Sequence, residues 1–229
     1  MDERPRENIY GRMWRDKMPD ATFEEVEKEF YRKRYLRGLE ARNERYLKQG
    51  HKERCRTIEQ MYMNAKTCPT ETIFQIGNMD THPDPKLLKK CYSEYLDQIQ
   101  QWNKKHGNHF HVLDFAIHLD EQTPHVHERS IMDITDKYGY FVIAQEKALK
   151  EAGIELPEPD KPESRYNNRK ITFDKMRREM FQEICRSNGL HITVEPRTQK
   201  MKHKSTRQYK REQAELEAQK LKKMIQVVR

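Results

Sequence analysis

Residues 111–133 read His111-Val-Leu-Asp-Phe-Ala-Ile-His-Leu-Asp-Glu-Gln-Thr-Pro-His-Val-His-Glu-Arg-Ser-Ile-Met-Asp133, and this stretch decides the fold. Its halves, His111–Asp120 and His125–Asp133, are short and contain β-branched and aromatic residues. Glu121-Gln-Thr-Pro124 interrupts them at a proline. Two strands joined so closely pair antiparallel, as a hairpin. Side chains alternate along a strand, so His125 and His127 share one face, and His118 stands at the end of the neighbouring strand. Three imidazoles therefore converge across one hairpin. The chain has 10 histidines in 229 residues, and three of them fall within His118–His127.

The surrounding chain supplies a sheet and its helical cover. Glu71-Thr-Ile-Phe-Gln-Ile-Gly-Asn78 reads as another strand, leaving through a turn punctuated by Pro83 and Pro85. Residues 86–105 place Leu87, Leu88, Cys91, Tyr95, Leu96, Ile99 and Trp102 at helical spacing and stop at Gly107. Thr22 with Glu25 opens a long polar helix over 22–48, with sparse apolar positions Phe23, Val26, Phe30, Leu36 and Leu39. Its cations Arg32, Lys33, Arg34, Arg37, Arg42 and Arg45 are expected to point outward. Further helices are expected over 51–66, 145–152 and 172–187, the last opened by Thr172, with an extended proline loop over 157–162 and a last strand over 191–194. The tail from 204 spaces Ala214, Ala218, Leu221, Ile225 and Val228 by four and three, the pattern of a coiled-coil seam or a docked helix that would join a second copy or a partner. The expected class is α+β, an antiparallel sheet with long flanking helices and a C-terminal helical tail.

Charge divides the chain into three expected regions. Lys and Arg outnumber Asp and Glu by 17 to 13 over 1–70 and by 10 to 3 over 199–229, while over 71–198 they number 18 against 21. A slightly acidic centre between a basic N-terminal helical arm and a basic tail suits a protein whose flanks neutralise phosphates while its centre keeps carboxylates for a cation. Arg165, Arg169 and Lys170 after the proline loop, and Lys200, Lys202, Lys204 and Arg207 on the tail, are the candidate DNA phosphate contacts. Trp102 and Phe110 are assigned to the core. With 34% apolar and 36% charged residues the chain holds one modest core and excludes a membrane-embedded protein. No secretory leader is read at the N-terminus, and four widely spaced cysteines fit neither a zinc framework nor a disulfide scaffold, so a cytoplasmic chain with reduced thiols is expected.

The constellation His118-x-x-Glu121-x-x-x-His125-x-His127 offers three nitrogens and one oxygen, a set suited to Mn²⁺, Mg²⁺, Zn²⁺ or Ni²⁺. Asp114 and Asp120 share the parity of His118 and are candidate partners for orienting the imidazoles. His125-Val-His127 resembles the histidine-hydrophobe-histidine signature of HUH single-strand endonucleases. The wider run His118-Leu-Asp-Glu-Gln-Thr-Pro-His-Val-His127 resembles the motif His-x-Asp-Glu-x-x-Pro-His-x-His of the MobV (Mob/Pre) plasmid mobilisation and recombination relaxases. Ile73–Asn78, Gln145–Leu149 and Arg165–Lys170 are similar to that family less specifically, over roughly residues 30–200.

The resemblance implies a palm of antiparallel strands carrying a divalent metal, Mn²⁺ or Mg²⁺, held by His118, His125 and His127 with Glu121. On it one phosphate of single-stranded origin-of-transfer DNA would be polarised and attacked, leaving the DNA joined to protein through its 5′ phosphate. The family's N-terminal His-Asn-x-Arg-like element, which supplies the nucleophilic histidine, is not matched here, since the first histidine is His51. Residues 2–9 resemble the stretch just after that element. The expectation is therefore a chain shortened relative to the family or one using another nucleophile, for which Tyr166 and Tyr10 are the candidates. Loss of the nucleophile would leave a non-catalytic DNA-binding derivative, and attack by water would give a metal-dependent nuclease.

Overall fold

In the computed structural model, the described residues are 21–78, 81–118 and 123–193, together with Arg211 and Glu215. They form an α+β structure around a four-stranded antiparallel sheet. In chain order the elements are α1 (Phe23–Lys48), a 3₁₀ turn (Lys52–Arg54), α2 (Ile58–Met63), β1 (Thr70–Gln75), α3 (Pro85–Lys105), β2 (Phe110–His118), β3 (His125–Thr135), β4 (Phe141–Ile143), α4 (Gln145–Glu151) and α5 (Arg169–Ser187). β3 is the hub: it pairs with β1, β2 and β4, each antiparallel.

Local chemistry explains the helix boundaries. α1 opens with a reciprocal capping box, Thr22 accepting from the Glu25 amide and Glu25 accepting from the Thr22 amide. A second box, Thr57 with Gln60, starts α2, so the single helix expected over 51–66 is instead a 3₁₀ turn and a short α-helix separated by extended Cys55. α3 starts from the Asp84 cap with Pro85 in its first turn, and the chain leaves it through Gly107 and Asn108, both at positive φ. α5 begins at Arg169, not at Thr172, because the Asn168 side chain caps the Ile171 amide. Strand β4 was not anticipated. It follows a tight turn in which the Asp136 carboxylate accepts from the Tyr138 and Tyr140 amides and Gly139 supplies the left-handed residue. The strand expected at 191–194 is absent from 191–193, which has no regular structure, and Val194 lies outside the described residues.

Each sheet face buries its own core. One face carries Phe115, Ile117, Val126 and Met132, packed with Phe74 of β1 against Leu88, Tyr92, Tyr95 and Ile99 of α3 and Phe173, Phe181 and Ile184 of α5. The other carries Leu113 and Ile131 against Tyr31, Tyr35 and Leu39 of α1 and Ile58 and Met61 of α2. Leu113 reaches this second face because β2 bulges: Val112 pairs with Ser130 and Asp114 with Arg129, so Leu113 is the extra residue. Phe110 is in the core and Trp102 packs against it, as expected.

The α1 face of the sheet departs from the outward-cation expectation at Arg34. Its guanidinium makes a two-pronged ion pair with Asp133 of β3, and Tyr35 donates to the same carboxylate at 2.8 Å. The buried stripe of α1 is Glu27, Tyr31, Tyr35, Gly38 and Leu39, so this polar helix packs largely through tyrosines and one fully buried glutamate.

The described residues up to Ile192 form one compact unit that includes α1 and α2 with the sheet. Thr193 onward forms a second unit, in which Arg211 and Glu215 are helical and ion-paired at 3.0 Å. The coiled-coil seam and Lys200, Lys202, Lys204 and Arg207 lie outside the described residues. Among the described residues all four cysteines carry free thiols, and burial pushes the Cys185 thiol up to about 12. No helix among them is long and apolar enough to cross a membrane.

Candidate metal centre

The hairpin register brings the three histidines together. His118 pairs directly with His125, and His127 lies opposite Ala116 on one side and Ile73 of β1 on the other. Directly paired residues point to the same face, and so do residues two apart on one strand. The rings of His118 lie 5.0 Å from His125 and 4.8 Å from His127, and those of His125 and His127 are 4.8 Å apart. One nitrogen from each ring falls within 4.8 Å of the others. All three side chains are half-buried, reachable from solvent yet held by the sheet.

Hydrogen bonds to two of the rings fix which nitrogen carries the proton. Nδ1 of His127 is 3.0 Å from the Glu71 carboxylate, and Nδ1 of His125 is 2.9 Å from the Thr123 carbonyl. Both partners are acceptors only, so each Nδ1 carries the proton. A neutral imidazole so tautomerised has its lone pair on Nε2, and the two Nε2 atoms face each other at 3.0 Å. Two lone pairs at that distance need either one shared proton or a cation between them. The donor set therefore fits a divalent metal: Nε2 of two rings is aimed inward, and each outer nitrogen is anchored by an oxygen.

Glu71 is the anchoring residue that sequence reasoning missed. It was read only as the start of a strand, because no local pattern shows which residues of β1 meet β3, a pairing between segments more than fifty positions apart. Of the carboxylates proposed for that role, Asp114 shares the face of the triad and is 1% exposed, with its carboxylate accepting from the Phe115 amide at 2.9 Å and its backbone opposite Arg129. Glu121 and Asp120 lie outside the described residues.

Beyond His127 the same strand carries two further polar systems. On the triad face, Arg129 is held by Glu27 through Nε at 2.8 Å and Nη2 at 3.4 Å, and Tyr62 donates to Glu27 at 2.7 Å. On the opposite face, Glu128 is fully buried, receives Tyr92 at 3.0 Å and is ion-paired to Arg177, whose Nε donates to Tyr95 at 2.6 Å. Burial works against the Arg177 charge, yet the neighbouring Glu128 carboxylate holds its pKa above the ordinary value. These pairs lock β3 to α1 on one side and to α3 and α5 on the other.

Tyr166 and its basic neighbours are placed elsewhere. Four positions into α5, Phe173 packs against Phe110 at 5.3 Å and Trp102 at 5.4 Å, so the start of α5 lies at the Phe110 end of β2. His118 is at the other end, eight residues on, about 26 Å at 3.3 Å per residue. α5 also covers the sheet face opposite the triad. Tyr166, 81% exposed on the loop before α5, is therefore not brought to the histidines, which corrects the nucleophile expectation for it. The same holds for phosphate contacts at the site: Arg169 is paired with Glu146 and Glu163, Lys170 with Asp174, and Arg165 lies over the Tyr166 ring. Tyr10 lies outside the described residues.

No protein-family model matches the chain, no curated protein matches it, and no solved structure matches its fold.

Proposed function

We propose that this chain is a divalent-metal-dependent, relaxase-like enzyme of HUH type that nicks single-stranded DNA and transfers the strand at the origin of transfer of a mobile element. The observation that carries the reading is the pair of inward Nε2 atoms of His125 and His127, joined by His118, in a run spaced as in the Mob/Pre motif. On this reading the four-stranded sheet serves as the palm, with β3 as its central strand.

A cation held there supplies charge neutralisation to a phosphate oxygen as the transition state forms. The protein's part is to present neutral nitrogens: Glu71 and the Thr123 carbonyl hold the Nδ1 protons of His127 and His125 outward. Glu121 completes the set by resemblance. Three imidazoles favour Mn²⁺ over Mg²⁺, which prefers oxygen. In the reaction a nucleophile attacks phosphorus, the bond to the 3′ oxygen breaks, that oxygen takes a proton, and the 5′ phosphate stays on the protein.

The test is incubation with Mn²⁺ and labelled single-stranded DNA from the region flanking the gene, run on a denaturing gel before and after protease treatment. The expected result is a protease-sensitive shifted band, whose adduct mass spectrometry then assigns to a residue. A cut without an adduct would favour a water-using nuclease, a reading to which the displacement of Tyr166 lends weight. Binding without a cut would leave a non-catalytic DNA-binding derivative, and neither binding nor cutting would overturn the DNA reading altogether.

A further inference from the structure

The tip of the β3–β4 hairpin carries an aromatic and cationic surface that the metal centre does not use. Tyr138 is 54% exposed, with the Arg45 guanidinium 4.0 Å over its ring and Lys137 at 5.0 Å. Phe141 is 40% exposed under Arg34 at 3.7 Å. The local acid, Asp136, is occupied by the Tyr138 and Tyr140 amides and faces Arg45 and Arg42.

The tip is built rigidly. Asp136 closes the turn, Gly139 takes the left-handed position, and Gly38 lets α1 approach so closely that a Cβ there would sit 2.9 Å from Tyr140 Cβ. The turn holds the Tyr138 ring against Arg45 of α1 and still leaves about half of the residue in solvent. A half-exposed tyrosine ring flanked by a guanidinium and an ammonium group combines the parts on which a nucleobase stacks while the cations meet its phosphates.

We infer that Tyr138 and Arg45, with Lys137 and Arg42, form a second contact site for single-stranded DNA, remote from the histidines, that binds the flank of the strand held at the metal centre. The inference rests on the DNA reading above and adds its geometry. β3 links the two sites: from His127 to Thr135 is eight residues, about 26 Å. The triad shares the sheet face covered by α1, the helix that carries Arg45. A strand leaving the metal centre across the outside of α1, where Arg32, Lys33 and Arg37 are exposed, would reach the tip after several nucleotides.

The experiment measures fluorescence anisotropy with oligothymidylates of about 5 and about 20 nucleotides, near and beyond the lower site sizes of single-strand binders, for the full chain with Mn²⁺ present. Wild type should bind the long oligonucleotide much more tightly than the short one. The double variant Tyr138→Ala, Arg45→Ala should lose about tenfold or more on the long oligonucleotide, and its salt dependence should flatten by about 0.7 for the lost phosphate contact. Tyr138→Phe should restore the stacking contribution. In Tyr138→Trp the added emission should be quenched by the long oligonucleotide, a readout that requires the folded tip and the base to touch. Equal long-oligonucleotide affinity in wild type and double variant, or an unquenched Tyr138→Trp, overturns the second site while leaving the DNA reading standing. Failure of wild type to bind either length overturns both.

Discussion

Glu71 Oε1 lies 3.0 Å from Nδ1 of His127, and this contact decides which nitrogen of His127 can meet a cation. The carboxylate holds the proton on Nδ1, leaves Nε2 as the lone-pair atom and fixes the ring plane. Removing it frees both tautomer and rotation. Glu71→Ala should weaken Mn²⁺ binding by about 10–100-fold, whereas Glu71→Gln keeps an acceptor and should fall between wild type and Ala. Calorimetric titration distinguishes the three, and an unchanged affinity in Glu71→Ala would show that the contact does not orient a ligand. Glu71 is half exposed at the side chain, so neither variant should alter thermal stability appreciably.

The histidines themselves permit a harsher test. His125 and His127 sit on the central strand but point out of the buried clusters, whose β3 members are Val126, Ile131, Met132 and Ile134. His125→Ala with His127→Ala should abolish tight Mn²⁺ binding and leave the circular dichroism spectrum and the melting transition close to wild type. Retained metal affinity in a folded double variant would move the site elsewhere.

Much of this site was legible because hairpin pairing is local. Pro124 and the two flanking β-rich runs set the turn, and the period of two then aligned His118, His125 and His127 without any knowledge of the rest of the chain. The same argument ran out wherever the partner was distant. Glu71 and Arg34 look like an ordinary strand start and an ordinary surface cation until β1 and α1 are laid against β3. The bulge at Leu113 is equally silent in the sequence, yet it turns His111 onto the α1 face, where Nε2 meets Asp133 at 2.9 Å. The tyrosine stripe of α1 was missed because Glu27 and Arg34 interrupt it, the first buried and the second half-buried against partners on β3. Tyr166 stands apart for the converse reason: the similarity over Arg165–Lys170 says nothing about which end of the sheet the following helix starts from.

Asp133 should make folding sensitive to acid. Burial pushes its carboxyl up, but hydrogen bonds from His111 and Arg34 outweigh that and hold its pKa below the usual 3.8. A carboxyl with a lowered folded pKa binds protons more weakly folded than unfolded, so its contribution is complete above the unfolded value and is lost as pH falls through the folded one. Stability measured by denaturant should therefore drop on acidification below about 4, and Asp133→Asn should flatten that limb. At neutral pH the same substitution leaves the Arg34 charge without its partner and should cost about 3 kcal/mol. A variant whose acid limb matched wild type would show that other carboxyls govern the transition.

Glu128–Arg177 is the most buried ion pair among the described residues, with both side chains nearly inaccessible among Tyr92, Tyr95, Phe110 and Phe173. Attraction and desolvation oppose one another there, and the sign of the net effect depends on whether one partner or both are removed. Arg177→Met leaves a carboxylate stranded at the centre of the sheet and should cost about 3–5 kcal/mol, which for a chain of this length lowers Tm by about 6–20 °C. Adding Glu128→Leu removes the stranded charge and should recover most of that loss, despite deleting the hydrogen bond from Tyr92. Chemical denaturation of wild type, the single variant and the double variant measures the difference. Because Glu128 follows His127 directly, the single variant should also loosen the strand under the histidines and weaken Mn²⁺ binding, while the double variant should restore it. A double variant as unstable as the single one would mean that the pair holds β3 through its geometry and not through its charge.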